Sequence, residues 1–439
     1  MEDDKLQVVV VGAGIAGLTC AITLSHYPRV HVTVLERVPT ILPAGYGIQV
    51  PCNACHVLRS LGLLDRLIAT SQGVAPGSLS LDYKSGQVLL NKDFSRFQDI
   101  YGAPWLFVHR ADYIRVLLDE ASRLGVQIRL GCEVEEVDTQ APWLRLANDE
   151  IVTADVIIGC DGVGSQIRAA IYPDIRPRYT VAMAYRALLT RDQLSADLFM
   201  PVVASSKCHF WLGPQAHIVM YPVHGGDTFN LVIIIEDFTL SRLYKHGDVL
   251  ALVREYLMDW NPVVTELLQM VQQLVIFHLW NVEDLPSFTS ERVTLMGDAA
   301  HPTLPYLGQG AAMAVEDALI LGTLLGKLTQ HAPSQSIENL KARAPTILQA
   351  YDTLQRDRTT NIVAKSQTQG HFNHLYPGEE QRERDADFAA FDAETTESKC
   401  PWVNSAFNRE ILGRDSEAVA VAEFKRLMAD GLFESCSGE

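Results

Sequence analysis

Positive charge, cysteine and long apolar runs are all scarce in this chain. Its 439 residues carry 36 Lys and Arg against 53 Asp and Glu, a formal net charge of −17 at pH 7. Nucleic-acid binding and adhesion to an anionic membrane both draw on cationic groups. The balance therefore argues against both partners, while leaving room for local positive sites that hold small anions. Eight cysteines, spread from position 20 to 436, are too sparse for a disulfide scaffold and read as reduced thiols. Cys52 and Cys55 form a C-x-x-C, but no second pair and no nearby His set accompanies them. Two small residues at a helix start explain them better than zinc or a redox pair, and no metal is expected. No apolar run approaches the ~18 residues needed to span a bilayer. The acidic start Met1-Glu2-Asp3-Asp4 runs straight into a strand pattern rather than a signal peptide. The expectation is a soluble, cytoplasmic protein.

Apolar residues are plentiful, 48% of the chain, with 20% charged. That composition builds a sizeable core, and at roughly 150 residues per domain the length suggests two or three units. Residues 7–11 are a short β-branched run, the pattern of a strand buried in a parallel sheet. A glycine-rich turn, a helical pattern over 15–26 and a strand over 30–35 complete a βαβ unit. A further helix is expected over 53–69, then short strands and loops over 76–108. A helix over 110–123 leads into a strand at 126–130, short strands at 133–137 and 143–146, and a buried strand at 155–159. From about 176 the character changes. Segments 178–190, 207–212, 217–223 and 228–236 alternate or run apolar between glycine breaks, the pattern of an antiparallel sheet. Helical patterns follow at 247–272, a buried strand at 293–296, a long helix from about 309, and mainly helix over 335–430. The charged stretch 378–398 reads as a solvated surface segment.

Gly12-x-Gly14-x-x-Gly17 follows the first strand and opens the first helix, and Glu36 ends the next strand 19 residues after Gly17. In a dinucleotide fingerprint the first glycine permits the tight turn, the second admits a pyrophosphate to the backbone and the third lets helix and strand pack closely. The helix N-terminus supplies free N–H groups, and the acid accepts hydrogen bonds from ribose hydroxyls. The motif does not separate FAD from NAD. Two more signals follow apolar strands: Cys160-Asp161-Gly162-Val163-Gly164-Ser165-Gln166-Ile167-Arg168 and Gly297-Asp298-Ala299-Ala300-His301-Pro302. Each places an aspartate just past the C-terminal end of a strand, where parallel sheets bind ligands. Each aspartate could equally cap a helix.

The three motifs together resemble the group A flavoprotein monooxygenases, single-component FAD hydroxylases of the p-hydroxybenzoate hydroxylase fold, over about residues 7–370. Gly45-Tyr46-Gly47-Ile48-Gln49-Val50, Tyr185-Arg186-Ala187, Tyr221-Pro222-Val223 and Pro305-Tyr306-Leu307-Gly308-Gln309-Gly310 look like the salicylate-hydroxylase-like branch common in fungal secondary metabolism. The resemblance implies an α/β fold: a discontinuous Rossmann-type FAD-binding domain (1–175 and 286–370), an inserted, mostly antiparallel β-sheet substrate domain (176–285) and a C-terminal helical tail (371–439). It implies that Gly12, Gly14, Ala16, Gly17, Glu36 and Arg37 hold the ADP half of FAD and that Arg110 contacts the FAD chain. Asp161 and Gly162 would serve FAD and reduced nicotinamide, with Arg168 closing that motif, and Asp298 would bind the ribityl hydroxyls. Gly47, Pro305, Leu307, Gly308 and Gly310 would surround the flavin ring. A helix N-terminus at that loop would stabilise negative charge on reduced flavin by up to ~2 kcal/mol.

On the substrate side, Arg186 lies in an otherwise apolar strand. A buried arginine needs a partner, either a structural carboxylate or the phenolate or carboxylate of a substrate; the resembling dearomatising phenol hydroxylases use the matching Arg and Tyr, here Tyr221, to hold a phenolate. Tyr221 alone could be a core aromatic. Phe210, Trp211 and Tyr306 line a pocket or pack a core, and Tyr46 stands where relatives usually have a small residue, which argues against simple salicylate. The implied reaction is reduction of FAD by NADPH or NADH, then transfer of the distal oxygen of a flavin hydroperoxide to an aromatic carbon, with or without dearomatisation. His301 is not assigned as a base. No second G-x-G-x-x-G is present, so the nicotinamide would bind transiently, and the protein would act as a monomer or homodimer. Epoxidation of an indole or fused heteroaromatic is the competing oxygenase reading. The tryptophan signature of flavin halogenases, Trp-x-Trp-x-Ile-Pro, is absent, and a non-catalytic FAD-fold protein fits three intact motifs less well.

Overall fold

The computed structural model describes residues 4–41, 45–71, 73–194, 196–236, 248–331 and 335–433. Met1, Glu2, Asp3 and Cys436 lie outside those residues. Along the chain run β1 (Leu6–Val11), α1 (Ile15–Ser25), β2 (Val30–Glu36), β3 (Gly47–Val50), β4 (Gly77–Asp82), β5 (Val88–Asp93), β6 (Leu106–His109), α2 (Arg110–Arg123) and β7 (Gln127–Leu130). Next come β8 (Val134–Asp138), β9 (Trp143–Leu146), β10 (Ile151–Thr153), β11 (Val156–Gly159), α3 (Gln166–Ile171), β12 (Arg178–Thr190), β13 (Cys208–Gly213), β14 (Ala216–Val223) and β15 (Thr228–Ile235). The remainder includes β16 (Val275–Asn281), β17 (Thr289–Ser290), β18 (Val293–Leu295), α4 (Gly310–His331) and α5 (Ile337–Asn373).

Two sheets organise the molecule. The first has the order β17-β18-β11-β1-β2-β7, and its strands are parallel except for the β17–β18 pair. The β-branched run of β1 sits in its middle, with Val8 beside both Val156 and Val32. Such a strand is covered on both faces, which is why its sequence runs apolar rather than alternating. α1 and α4 pack closely beside it. A Cβ on Gly322 would lie 2.7 Å from Thr23, so that position accepts no larger residue.

The second sheet has the order β16-β12-β15-β14-β13-β4-β5, antiparallel except for β13–β4. The register lines up Arg186, Val232, Val219 and Phe210 in one row across four strands. The alternate residues, including Tyr185, Ile233, Ile218, Met220 and Trp211, turn to the opposite face and build a separate core under helices 249–256 and 262–270.

Three expectations need correction. The helix expected over 53–69 is two helices, Cys52–Ser60 and Leu64–Ile68. Gly62, at φ +70, breaks it; its N–H reaches Arg59 O at 3.0 Å, and Leu63 N–H reaches Leu58 O at 2.7 Å. That pairing of bonds is a Schellman stop. The second sheet is not drawn from residues after 176 alone, because β4 and β5 join it from the N-terminal third. Within the charged stretch 378–398, Arg384 is 3% exposed and donates to Phe372 O at 2.7 Å, while Phe388 is buried. One face of that segment therefore packs. The C-terminal segment is anchored from β5: Lys92 is fully buried and donates to Trp402 O at 2.5 Å, with its ammonium 4.1 Å from the Trp402 ring. Burial pushes the Lys92 pKa down to about 7. Among the described residues, no helix is long and apolar enough to cross a membrane.

Candidate active site

A cleft with a cavity volume of about 330 Å³ runs between the two sheets. At one end lies the turn after β1. The three glycines there do different things. Gly12 has φ +106, and a Cβ on it would sit 2.5 Å from Cys160 O; one on Gly17 would sit 2.0 Å from Gly12 O. Both are demanded by close backbone packing. A Cβ on Gly14 would meet nothing within 4 Å, and Gly14 and Ala16 line the cleft. α1 starts there with no side-chain cap and no acid in its first turn, so its N–H groups remain available. That open cradle fits a pyrophosphate. Glu36 accepts from Ala13 N–H at 2.7 Å and Val38 N–H at 3.1 Å, which fixes its carboxylate against the turn. Arg37 is exposed.

The second motif divides its labour. Asp161 accepts from Ser165 Oγ at 2.6 Å and from Gln166 N–H at 2.7 Å, so its carboxylate is occupied at the start of α3. Gly162, at φ +78, lines the cleft. Arg168 is 1% exposed and donates to Ala299 O at 2.9 Å and to Val163 O. It stitches the second motif to the third. Asp298 opens into the cleft, as does Arg110 at the first residue of α2. Burial raises the pKa of the Asp298 carboxyl, against the opposing pull of His301 and Arg110. His301 is bound to Asp317 at 2.6 Å, and Asp317 also takes Gln355 at 2.6 Å. Burial disfavours the charged His301 ring, but Asp317 outweighs it and holds the pKa above the ordinary value. Pro305, Gly308 and Gly310 line the cleft, with Gly308 at φ +66. Leu307 is 3% exposed and packs into the core beneath them.

The other end of the cleft is floored by the second sheet. Arg186, Val219, Val232, Phe210 and Tyr221 all line it. Arg186 Nε is enclosed and has no hydrogen-bond partner. No carboxylate pairs with this arginine among the described residues, so a structural salt bridge does not account for it. Tyr46 and Phe277 meet edge to face at 5.7 Å, and their rings flank the guanidinium at 5.8 Å and 5.3 Å. Burial lowers the Arg186 pKa and raises that of the Tyr221 hydroxyl. Gly47 lies where a Cβ would sit 2.7 Å from Tyr221 and 2.6 Å from Asn230, whose Oδ1 accepts its N–H at 2.9 Å. Tyr306 lines the cleft, whereas Trp211 packs on the far face of its strand.

The sequence reading missed His217 and Asn230. Both signals were present: His217 shares strand parity with Tyr221, and Asn230 interrupts an apolar strand. A third cluster, His109, Asp112 and His224, is tight enough for a metal ion. However, Asp112 already takes Arg115 at 2.5 Å and His224 at 3.0 Å, and His109 accepts Ala111 N–H at 3.2 Å. These contacts tie the three side chains to Arg115 and to the start of α2.

One cleft thus joins an open phosphate cradle to an unpaired arginine in an apolar floor. The family profile described as an FAD binding domain matches residues 5–353. FAD-dependent monooxygenase OpS4 of Beauveria bassiana is 32% identical over 95% of this chain and 97% of its own. The chain belongs to the FAD-dependent monooxygenases. The 3-amino-4-hydroxybenzoate 2-monooxygenase PtmB3 of Streptomyces platensis is 31% identical over 88% of this chain and 93% of its own. A salicylate hydroxylase substrate complex shares the fold with a TM-score of 0.75, at 23% identity over 96% of this chain and 98% of that one. As a member of this family the protein uses FAD, with reduced nicotinamide as the typical reductant.

Proposed function

We propose that this monooxygenase hydroxylates a phenolic or salicylate-like aromatic, holding its phenolate or carboxylate against Arg186. The observation that carries the reading is the enclosed, unpartnered Nε of Arg186 in an apolar floor. A buried cation of this kind is costly until an anion arrives, and a guanidinium suits a carboxylate or phenolate. The names of relatives that act on 3-amino-4-hydroxybenzoate and salicylate support the same substrate class.

In this reading Gly12, Gly14, Ala16, Gly17, Glu36 and Arg37 hold the adenosine and pyrophosphate of FAD. Arg110, Gly162 and Asp298 hold its middle, and Gly47, Pro305, Gly308 and Gly310 surround its ring. Bound FAD supplies acceptance of hydride from NADPH or NADH and activation of dioxygen. The chain's own residues position the substrate. Arg186 fixes the anionic edge, Tyr221 and Tyr306 bracket the ring, Phe210 and the two valines of the row keep water away, and Tyr46 closes the side. Segments 1–175, apart from strands 77–82 and 88–93, and 286–370 form the FAD domain, 176–285 with those two strands form the substrate domain, and the described residues from 371 on, 371–433, form the helical tail. The protein acts as a monomer or homodimer, and the free cysteines fit a cytoplasmic setting.

The aromatic pair Tyr46 and Phe277 favours a second reading, a fused heteroaromatic such as an indole stacked in place of the clamped anion. A screen of NAD(P)H oxidation against phenols, salicylates and indoles, with product masses, separates the two. Substrate-stimulated consumption by phenols or salicylates with a product 16 Da heavier, the mass of one oxygen, is the expected result. Stimulation by indoles alone overturns the phenol reading, and stimulation by no aromatic overturns both.

A further inference from the structure

The floor of the substrate end does not stop at Arg186. The row across the sheet has one more member, because Val275 of β16 pairs with Arg186; its full order is Val275, Arg186, Val232, Val219, Phe210. Val232 and Val219, on the inner side of the arginine, are buried and line the cleft. The outer side is open. Val275 and Leu188 are each 38% exposed, and Phe277 is 40% exposed. Leu188 follows Arg186 by two residues, and Phe277 follows Val275 by two, so all three share the cleft face. They form an apolar shelf around the outer side of the guanidinium. The Phe277 ring lies 5.3 Å from that group, and Tyr46 stands edge to face on Phe277, which gives the shelf one aromatic wall.

Exposed apolar side chains are out of place on this margin. β16 is the edge of its sheet, and edge strands are usually blunted by charge or proline. Val275–Asn281, VIFHLWN, carries no Lys, Arg, Asp, Glu or Pro. Apolar residues that continue a ligand cleft onto the surface mark a binding groove rather than scattered surface. The shelf has no polar side chain of its own, so it offers nothing to the phosphates of a reduced nicotinamide. Its few side chains fall far short of the ~800 Å² per partner that a stable interface between two copies buries. The occupant that fits is a part of the substrate itself.

We infer that the substrate is a phenol with an apolar chain beside its anionic group, and that this chain leaves the cleft past Arg186 and lies on Leu188, Val275 and Phe277. This rests on the phenolic reading above and adds a shape to it. With the anion on Arg186, the ring lies inward over Val232 and Val219. A chain ortho to the anion then points outward, across the guanidinium and onto the shelf. A chain para to the anion points inward along the floor and never reaches the shelf. The row order therefore sets where the substrate can be extended, and Leu188 and Val275 determine specificity without touching the reacting carbon.

The test titrates FAD-loaded enzyme with salicylate and with its 6-alkyl and 4-alkyl series, methyl to heptyl, and reads Kd from the flavin absorbance. In the 6-alkyl series, with the chain ortho to the carboxylate, Kd is expected to fall about 2–4-fold per methylene, as for a partly to fully buried CH2. The gain should level off once the chain outruns the ~7 Å from Val275 to Phe277. Val275→Ser combined with Leu188→Ser changes two exposed side chains; flavin content and melting temperature check folding, and Val275→Ser alone serves if the pair fails to fold. The variant is expected to bind salicylate within a few-fold of wild type and to lose most of the 6-alkyl gain, while its 4-alkyl series stays as in wild type. A 6-alkyl gain that survives the substitutions overturns the shelf, as does a Kd that stays flat from methyl to heptyl or an equal loss in both series. Light scattering that shows a wild-type dimer and a monomeric variant also overturns it, by giving the shelf to a second copy. If neither salicylate nor any alkyl member perturbs the wild-type flavin, the phenolic reading falls and the shelf with it.

Discussion

The two ends of the cleft are built on different terms. The nucleotide end is backbone: a turn, a helix start and glycines whose missing side chains create the space. Its parts lie within a few residues of one another. The substrate end is side chain: Arg186, Val232, Val219 and Phe210 come from four strands and meet only through register. A site made of backbone tolerates little change and binds one kind of ligand. A site made of strand residues on one row can be re-specified one side chain at a time without disturbing the cofactor.

The hardest test of that contrast is Gly17→Ala. Its Cβ would sit 2.0 Å from Gly12 O, so the variant is expected to yield no folded flavoprotein, read by flavin content and thermal melting. Gly14→Ala meets open space and should fold with a melting temperature near wild type while losing FAD affinity. If the two behaved alike, the division of labour among the glycines would be wrong. Next in size is Arg186→Met. Removing a buried charge costs about 2–5 kcal/mol where its partner is an anion, so kcat/KM for a phenolic substrate is expected to fall at least about 30-fold. FAD affinity should be unchanged, and stability without substrate equal or higher, because an unpaired buried charge has gone. A loss of FAD affinity would show that the ends are not separable. Tyr46→Ala removes one ring from beside the guanidinium, an interaction of about 1 kcal/mol. It should raise KM several-fold with kcat and FAD content little changed.

The last test lies outside both ends, at Lys92, and touches stability rather than the cleft. Its folded-state pKa of about 7 is far below that of an unfolded lysine, ~10.4. Between those values the unfolded chain binds the extra proton, so stability rises with pH across the window. The expected slope is at most ~1.4 kcal/mol per pH unit, measured as denaturant unfolding from pH 7 to 9. Lys92→Met should flatten it while leaving FAD and substrate binding alone.

What the sequence revealed follows the same divide. The α/β order, the helix 110–123 and the strand 178–190 were legible because each rests on local periodicity, and they agree with the structure. The glycine turn was legible because its spacing carries the geometry. Register was not legible. Nothing local says that β4 pairs with β13 more than a hundred residues later, that Trp211 faces away while Phe210 faces the cleft, or that His374 meets His217. Gly62 was visible as a residue, but only the left-handed backbone it adopts ends the helix. The aspartate of the second motif posed an even choice between ligand and cap, and the hydrogen bonds to Ser165 and Gln166 show it engaged at the helix start.

Arg168 bears on how the protein is made. Its guanidinium needs the carbonyl of Ala299, 131 residues downstream, and β11 waits for β18 on one edge. At roughly 5–20 residues per second on the ribosome, that interval is on the order of ten seconds. For that time the nascent nucleotide fold carries a cation awaiting burial and an open strand edge, while the intervening sheet is still being synthesised. The emerging chain is then most exposed to mispairing, and a chaperone that shields strand edges would matter most in that interval.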